Sequence, residues 1–235
     1  MSAQSEQQEL TQAVAGWLSY KSLTGLRGHL NEASISVPIT EFLSTRHGES
    51  MRSEVAHPLF KGEKRKGRPK QLDFVQRRRK GEGTSWLAAY ECKFQTDLPS
   101  RMIADICRLL VLNQANGIGN PKRFFLLAGE RKDPNIPLDR MINSTASGRI
   151  SVFKDTLLRQ PSEINSQLSV RLNTLHAEQR SLYASFAREN DVKIPSAFST
   201  KLKGLSVAAK YSCAIWEIKA ANGSKLLDAS DIENA

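Results

Sequence analysis

Residues 71–94 read QLDFVQRRRKGEGTSWLAAYECKF, and our expectation of the fold begins with this stretch. Side chains alternate between core and solvent types in both halves, which is typical of strands. Gly81-Glu82-Gly83 lies between the halves and favours a reversal of the chain. The stretch therefore predicts a β-hairpin, with Leu72 and Phe74 on one face of the first strand and Asp73 on the other.

Glu91 and Lys93 lie two residues apart in the second predicted strand, so their side chains share a face. Asp73 can join them if the two strands pair in a suitable register. Two carboxylates can hold a hard divalent cation such as Mg²⁺. A lysine beside them can orient or deprotonate a water that attacks a phosphodiester. Such a cluster is suited to metal-assisted hydrolysis.

The pattern formed by Asp73 and Glu91-Cys92-Lys93 resembles the motif of the PD-(D/E)XK superfamily of restriction-endonuclease-like nucleases. In that motif an acidic residue ends one strand and Glu-x-Lys follows in the next; no proline precedes Asp73 here. The resemblance implies a restriction-endonuclease-like α/β fold, a mixed central sheet flanked by helices. It also implies Mg²⁺ (or Mn²⁺) bound by Asp73 and Glu91, and Lys93 as the residue that positions water and stabilises charge. A solvated Glu-x-Lys ion pair on a surface hairpin is the alternative.

The surrounding segments predict the order helix, strand, strand, strand, helix, strand over roughly Leu26 to Gly129, which is the superfamily's core order. The predicted elements outside the hairpin are a helix from about Leu10, an amphipathic helix interrupted or bounded at Pro38, a strand from Ser50 to Phe60, a helix from Ser100 to about Asn116, and a buried strand from Arg123 to Gly129. Asp105 and Arg108, three residues apart in the later helix, are expected to pair locally.

Further acidic residues are weaker candidates for the site. In the superfamily, a helix ahead of the sheet often brings a glutamate towards the metal, and Asn31-Glu32 resembles that element. The resemblance therefore makes Glu32 a third candidate metal ligand, with a solvated helix residue as the alternative. Glu54, on the first predicted strand, is interpreted as an ordinary exposed acid.

The charge balance points to a polyanionic partner. The chain of 235 residues has 34 Lys and Arg against 24 Asp and Glu, for a net charge of +10. Residues 61–80 alone hold ten basic residues against Glu63 and Asp73, a net +8. We expect this segment to contact phosphates. The candidate nucleic-acid-binding residues are Lys64, Arg65, Lys66, Arg68, Lys70, Arg77, Arg78 and Arg79.

The organisation we expect is one nuclease-like domain over residues 1–235, with a core at about 26–129 and short flexible ends. Residues 130–225 are predicted to add a helical extension and one strand. Apolar residues from Ile164 to Phe186 recur at helical spacing and predict one long helix from about Pro161 to Arg188, which can pack on the core or form a homodimer seam. Tyr211 to Ile218 is predicted to add an edge strand, and the acidic end after Leu227 to fray.

Three scattered cysteines favour neither a disulfide framework nor a zinc site, which indicates a reducing compartment. The sequence shows no apolar leader and no apolar window long enough to span a bilayer. We therefore expect a cytoplasmic protein without a membrane partner.

These observations lead to two functional hypotheses. The first, implied by the resemblance, is a Mg²⁺-dependent nuclease that acts on DNA in preference to RNA, in a setting of bacterial defence against phage or restriction. The second is a non-catalytic nucleic-acid-binding protein that keeps the fold and the basic surface.

Overall fold

A computed structural model describes residues 5–60, 70–80, 83–95, 99–130 and 164–235. The helices are α1 (Glu6–Leu23), α2 (Glu32–His47), α3 (Pro99–Val111), α4 (Ala177–Asn190) and α5 (Ala229–Glu233). The strands are β1 (Met51–Ala56), β2 (Gln71–Lys80), β3 (Gly83–Phe94), β4 (Lys122–Glu130), β5 (Gln167–Arg171), β6 (Ile194–Pro195), β7 (Ala197–Ala208), β8 (Tyr211–Ala220) and β9 (Leu226–Leu227).

Within these residues, seven strands form one sheet in the order β1-β2-β3-β4-β8-β7-β5, and β6 pairs with β9 separately. β3 and β4 run parallel, while the other described neighbours in the large sheet run antiparallel. The predicted mixed α/β sheet is therefore confirmed. The predicted core order is also present, since α2 precedes β1, β2 and β3, and α3 separates β3 from β4.

Helices cover both faces of the sheet. α3 and α4 contribute Ile106 and Tyr183 to a core that includes Phe125 of β4. α1 and α2 contribute Val14 and Ile39 to a second core on the other face. Because each helical layer is apolar towards the sheet, charged side chains that lie between layers need partners within the protein. None of the helices in the described ranges is long and apolar enough to cross a membrane.

The predicted hairpin is formed, with β2 and β3 paired from Lys80↔Gly83 to Phe74↔Tyr90. A bulge between Gln76 and Arg77 leaves Leu87 without an opposite residue, and it moves Trp86 to the face packed by α3. Tyr90 lies on the face packed by α1 and α2, as the alternation predicts.

The expected alternation around Asp73 is wrong. Leu72 packs in the core of α3, whereas Phe74 packs in the core of α1 and α2. The pairing of β2 with β3 ends at Phe74, while Leu72 pairs with Val55 of β1. In β1, Ser53 and Val55 pair with β2, and Glu54 lies between them. Glu54 has a φ of 49°, an uncommon backbone conformation for a residue other than glycine. The two strands are therefore irregular at the level of Asp73.

The predicted long helix from Pro161 to Arg188 is also wrong. Residues 161–163 lie outside the described residues, Gln167–Arg171 forms β5, and α4 begins only at Ala177. Val170 is buried and Leu168 packs partly on the core, which is the spacing of two expected for a strand. A strand followed by a helix accommodates the same leucine spacing. The first half of the predicted helix is therefore strand β5 of the sheet, and only the second half is helical.

Tyr211–Ala220 is a strand, but it does not form an edge. β8 lies between β4 and β7, because β7 and β5 extend the sheet further. The buried face of β7 is hard to recognise from the sequence, because its inward positions include the polar Thr200 and Gly204, which has no side chain.

The N-terminal helix is anchored to β7 by its side chains. The amide of Gln8 donates to the Leu205 carbonyl at 2.9 Å and accepts from the Leu205 N–H at 3.0 Å. Gly204 permits this approach, because a Cβ there would lie 2.6 Å from the Gln7 carbonyl oxygen. α1 begins at Glu6 with Ser5 as its N-cap, earlier than predicted.

The C-terminal end does not fray in the way we expected. Asp228 caps α5, and Ile232 is fully buried in the core shared with α3 and α4. Burial of one isoleucine by a helix of five residues explains how this short element stays docked.

We expect Ile232→Ala to lower the free energy of unfolding by about 2–4 kcal/mol, because it removes buried methyl groups and leaves a cavity. Urea denaturation followed by circular dichroism measures this change. The control is Ile164→Ala, at a side chain that is 41% exposed. Equal effects of the two substitutions would contradict the docked position of α5.

Candidate active site

Asp73 lies where the pairing between β2 and β3 ends. Its Oδ2 accepts the backbone N–H of Cys92 at 2.6 Å, in place of a further backbone hydrogen bond between the strands. This contact holds the Asp73 carboxylate beside the Glu91-Cys92-Lys93 segment. The predicted meeting of these residues therefore occurs, through a side chain that bridges two separating strands.

Lys93 is the centre of a group of oxygen atoms. Its Nζ lies 2.7 Å from Glu32 Oε1, 3.0 Å from Asp105 Oδ2 and 3.3 Å from the Cys92 carbonyl oxygen. Burial would lower the pKa of Lys93, but the charges of Asp105 and Asp73 and the hydrogen bond to Glu32 raise it overall. Lys93 is therefore an ammonium at neutral pH, suited to stabilising charge and orienting a ligand rather than to removing a proton.

Glu91 is fully buried on the face packed by α3. Arg108 Nε donates to Glu91 Oε1 at 2.6 Å. Glu91 Oε2 is buried without a hydrogen-bond partner in the part of the chain that the structure describes. Burial and the charge of Asp105 raise the pKa of Glu91, and Arg108 opposes this only in part.

Asp105 and Arg108 of α3 complete the cluster. They pair with each other, as their spacing predicts, and they also contact Lys93 and Glu91. Asp105 is 1% exposed, and burial raises its pKa to about 6 against the lowering effect of Arg108 and Lys93. We did not predict either as a site residue. The available signal was the position of Asp105 within the apolar stripe of α3, three residues after Met102 and four before Leu109.

His57 contacts the backbone of the residue that pairs with Glu91, Arg108. Its Nε2 lies 3.0 Å from the Arg108 carbonyl oxygen, and its Nδ1 accepts the Leu59 N–H at 3.3 Å. Burial lowers the pKa of His57 to about 4, so the ring is neutral and Nε2 donates. His57 thus fixes the turn of α3 that carries Arg108.

The cluster has more negative than positive groups. The carboxylates are Glu32, Asp73, Glu91 and Asp105, and the cations are Lys93 and Arg108. With all groups ionised, two negative charges would remain, and hard oxygen donors of this kind suit Mg²⁺. Within the described ranges, however, no three His, Cys, Asp or Glu residues are grouped so as to hold a metal ion. Lys93 and Arg108 contact the carboxylates instead.

The remaining candidate residues lie elsewhere. Glu54 is exposed. Lys64, Arg65, Lys66 and Arg68 lie outside the described residues, and so does the side chain of Arg79.

Three basic candidates have described side chains. Arg78 is exposed, and the Arg77 guanidinium lies 5.5 Å from the centroid of the Trp86 ring. Lys70 Nζ contacts Asn190 and lies over the Phe60 and Phe186 rings at 5.6 and 5.4 Å. Lys70 is therefore engaged within the protein, whereas Arg77 and Arg78 lie on the hairpin.

Comparison of the chain with protein-family models, with curated proteins and with solved structures finds no match. The chemistry of the cluster is therefore the basis on which its function is inferred.

The stability of the protein should depend on pH through Asp105. A carboxyl whose pKa is higher in the folded than in the unfolded state stabilises the fold at low pH and loses that contribution as pH rises through the folded value. Between pH 5 and 7 we expect this loss to be about 1 kcal/mol for Asp105, whose folded pKa is about 6. Urea denaturation at several pH values should therefore give a smaller decline for Asp105→Asn than for the wild type, and Glu54→Gln serves as the exposed control.

Arg108 should be essential for burying Glu91. Arg108→Met should lower the free energy of unfolding by about 3–5 kcal/mol, because it leaves buried carboxylates without their counter-charge. Adding Glu91→Gln should restore at least about 1 kcal/mol of that loss, which a double-mutant cycle measures. Arg27 forms an exposed ion pair with Glu130 at 2.6 Å, so Arg27→Met should change stability little. Strictly additive effects of the Glu91 and Arg108 substitutions would contradict the coupling.

Proposed function

We propose that this chain is a Mg²⁺-dependent nuclease of the PD-(D/E)XK type, with a restriction-endonuclease-like fold, that hydrolyses phosphodiester bonds in DNA. One observation carries the proposal. Asp73, Glu91 and Lys93 meet where β2 and β3 separate. One carboxylate oxygen of Glu91, Oε2, is buried there and has no hydrogen-bond partner among the described residues. The resemblance of their spacing to the superfamily motif supports the finer assignment of fold and reaction.

Asp73 and Glu91 would hold the metal ion, with Glu32 as a further ligand. The excess of carboxylates over cations supports a bound cation, because a divalent ion would offset the two negative charges that remain when all four carboxylates are ionised and would favour that ionised state. Bound there, Mg²⁺ would polarise a phosphoryl oxygen of the substrate. Asp105 lies in the same cluster and would share this role or hold Lys93 in place.

Lys93 would act as a fixed positive charge. Its ammonium is held by Glu32 and Asp105, so its position costs little reorganisation during the reaction. It would exchange its longest contact, with the Cys92 carbonyl oxygen at 3.3 Å, for a hydrogen bond to the attacking water or to a phosphate oxygen, and it would stabilise the charge that develops there. Arg108 neutralises Glu91 and Asp105 and would maintain their geometry.

The basic hairpin would position the nucleic acid. Arg77 follows Asp73 by four residues on β2, a separation of about 13 Å along the strand at about 3.3 Å per residue. Arg77 and Arg78 could therefore contact the nucleic-acid backbone a short distance from the site. The basic segment at 61–69 precedes the same strand in sequence and would add phosphate contacts. DNA as the substrate, and a setting of bacterial defence against phage, follow from the resemblance.

A second function is favoured by the ion pair between Glu91 and Arg108. Glu91 is fully buried and already neutralised on one oxygen, as in a structural network. A nucleic-acid-binding protein that keeps the basic hairpin but does no chemistry would use the cluster only for stability.

Cleavage of plasmid DNA in Mg²⁺ or Mn²⁺, with chelator as the control, tests the first function. We expect Asp73→Asn, Glu91→Gln and Lys93→Ala each to reduce the cleavage rate by about 100-fold or more, because each removes a charge at the reacting centre. Glu217 and Lys203 lie 3.9 Å apart on β8 and β7, so Glu217→Gln and Lys203→Ala provide matched controls that should retain activity.

Binding of Mn²⁺ gives a second readout, followed by electron paramagnetic resonance. Asp73→Asn should weaken it, whereas Glu217→Gln should not. Cleavage that persists in all three site variants would exclude this site. A wild-type protein that binds DNA, with affinity falling steeply as salt rises, but does not cleave it would establish the second function.

A further inference from the structure

One corner of the sheet carries a row of polar side chains. The register pairs Ser169 of β5 with Ser199 of β7, and Ser199 with Lys219 of β8. Lys219 follows Glu217 by two residues, and Glu217 pairs with Phe124 of the core packed by α1 and α2. Because paired residues share a face, and so do residues two apart in a strand, the row lies on the face that α1 and α2 cover elsewhere.

Four cations belong to this corner. Arg171 and Lys201 each follow one of the serines by two residues in the same strand, so they lie on the same face. Lys122 pairs with Ala88, a residue of the core packed by α1 and α2, and therefore shares that face as well. Arg171, Lys122 and Lys219 are exposed, and Lys201 is half-buried. We define the basic corner as the four cations and the two serines: Lys122, Ser169, Arg171, Ser199, Lys201 and Lys219.

The positive charges of the basic corner are not neutralised within the described part of the protein. None of its four cations forms an ion pair with another described residue. The pairing of Phe124 with Glu217, continued by two residues, places Lys122 opposite Lys219. Like charges on opposite residues of neighbouring strands are unfavourable. An anion bound between them would remove this repulsion.

Two carboxylates border the basic corner, and both have partners. Glu217 lies 3.9 Å from Lys203 and is also opposite Lys201 in the register. Asp231 belongs to the N-terminal cap of α5, where its Oδ2 accepts the Asp228 N–H at 3.4 Å. A depression of about 890 Å³ lies at this corner, and its lining includes Asp231 and four residues of the basic corner: Ser169, Arg171, Ser199 and Lys219.

We propose that the basic corner binds the sugar-phosphate backbone of duplex DNA. From Lys122 to Arg171 the corner crosses four neighbouring strands, a width of about 14 Å at about 4.8 Å per step. A duplex lying across the strands carries about eight phosphate charges over this width, since it has one per about 1.7 Å of its axis. The serine hydroxyls can donate to phosphate oxygens between the cations. The six residues include no aromatic ring on which a base could stack, so the contacts are with the backbone and independent of sequence.

This surface is separate from the carboxylate cluster. Glu91 lies on the other face of the sheet, and Lys93 pairs with Leu127, which is about 17 Å along β4 from Lys122 at about 3.3 Å per residue. The tip of the β2–β3 hairpin extends past Lys122 at the same end of the sheet, because the partner of Lys122 is Ala88. The basic corner would therefore add to the phosphate contacts that we propose for the hairpin. It rests on DNA being the partner of the protein but not on cleavage.

Fluorescence anisotropy of a labelled DNA duplex, titrated with the full chain in chelator, tests this proposal without metal-dependent cleavage. We expect Lys219→Glu to weaken binding by about tenfold or more, because it replaces an attractive phosphate contact with a repulsive one. Lys193→Glu is the matched control. It changes the net charge equally, but Lys193 is exposed next to Ile194, which packs in the core of α3 and α4. It should weaken binding by less than about threefold, and circular dichroism would verify that both variants fold.

The salt dependence of binding gives a second readout. Each phosphate contact contributes about −0.9 to the slope of log K against log salt concentration. The double variant Lys122→Gln with Lys219→Gln should therefore make the slope less steep by about two, and Arg171→Gln by about one. Lys193→Gln should leave the slope unchanged. Duplexes of unrelated sequence should give the same results, because phosphate contacts carry no base information.

The proposal is overturned if Lys219→Glu and Lys193→Glu weaken binding equally, or if the slope is the same in the double variant and the wild type. Binding of the wild type to phosphatidylserine vesicles but not to the duplex would also overturn it, in favour of a membrane surface. Failure of the proposed nuclease is a separate result: a wild type that binds the duplex through Lys219 but does not cleave plasmid in Mg²⁺ would support the basic corner and contradict the catalytic function.

Discussion

The burial of Glu91 against Arg108 is the constraint on which the centre of the molecule depends. A carboxylate removed from water is costly unless a cation accompanies it, so β3 and α3 have to pack in the register that brings these two residues together. Lys93 extends the constraint to α2, because its ammonium contacts Asp105 of α3 and Glu32 at the start of α2. One network of charges therefore links helices that belong to opposite layers of the sheet.

The sequence allowed the hairpin and the cluster of Asp73, Glu91 and Lys93 to be predicted, because strand alternation determines which side chains share a face. The resemblance to a known motif added Glu32, which contacts Lys93. Asp73 joins Glu91 and Lys93 even though alternation fails locally at Leu72 and Phe74. Its carboxylate binds the Cys92 N–H, a contact that the period of two does not require. Asp105 and Arg108 escaped prediction because their spacing is satisfied by a local ion pair. Their contacts with Lys93 and Glu91 depend on how α3 packs.

The second half of the chain was harder to predict for a different physical reason. Leucines at intervals of three, four and seven suit a helix, but a strand ending near Arg171 and a helix starting at Ala177 place them in the core equally well. β7 has Thr200 and Gly204 on its buried side, so its sequence lacks the hydrophobic signal of an inner strand. The position of β8 inside the sheet depends on β7 and β5, so the local sequence of residues 211–218 does not determine it.

The attachment of α1 to β7 has a consequence for biosynthesis. The Gln8 amide binds a backbone segment 197 residues further along the chain. At a translation rate of about 5–20 residues per second, α1 would wait about 10–40 s for that strand to emerge from the ribosome. During this interval its apolar side chains, including Leu10, Val14 and Leu18, lack the part of their cover that β7 and β8 provide. The nascent chain should therefore be a substrate for chaperones until its last strands are made.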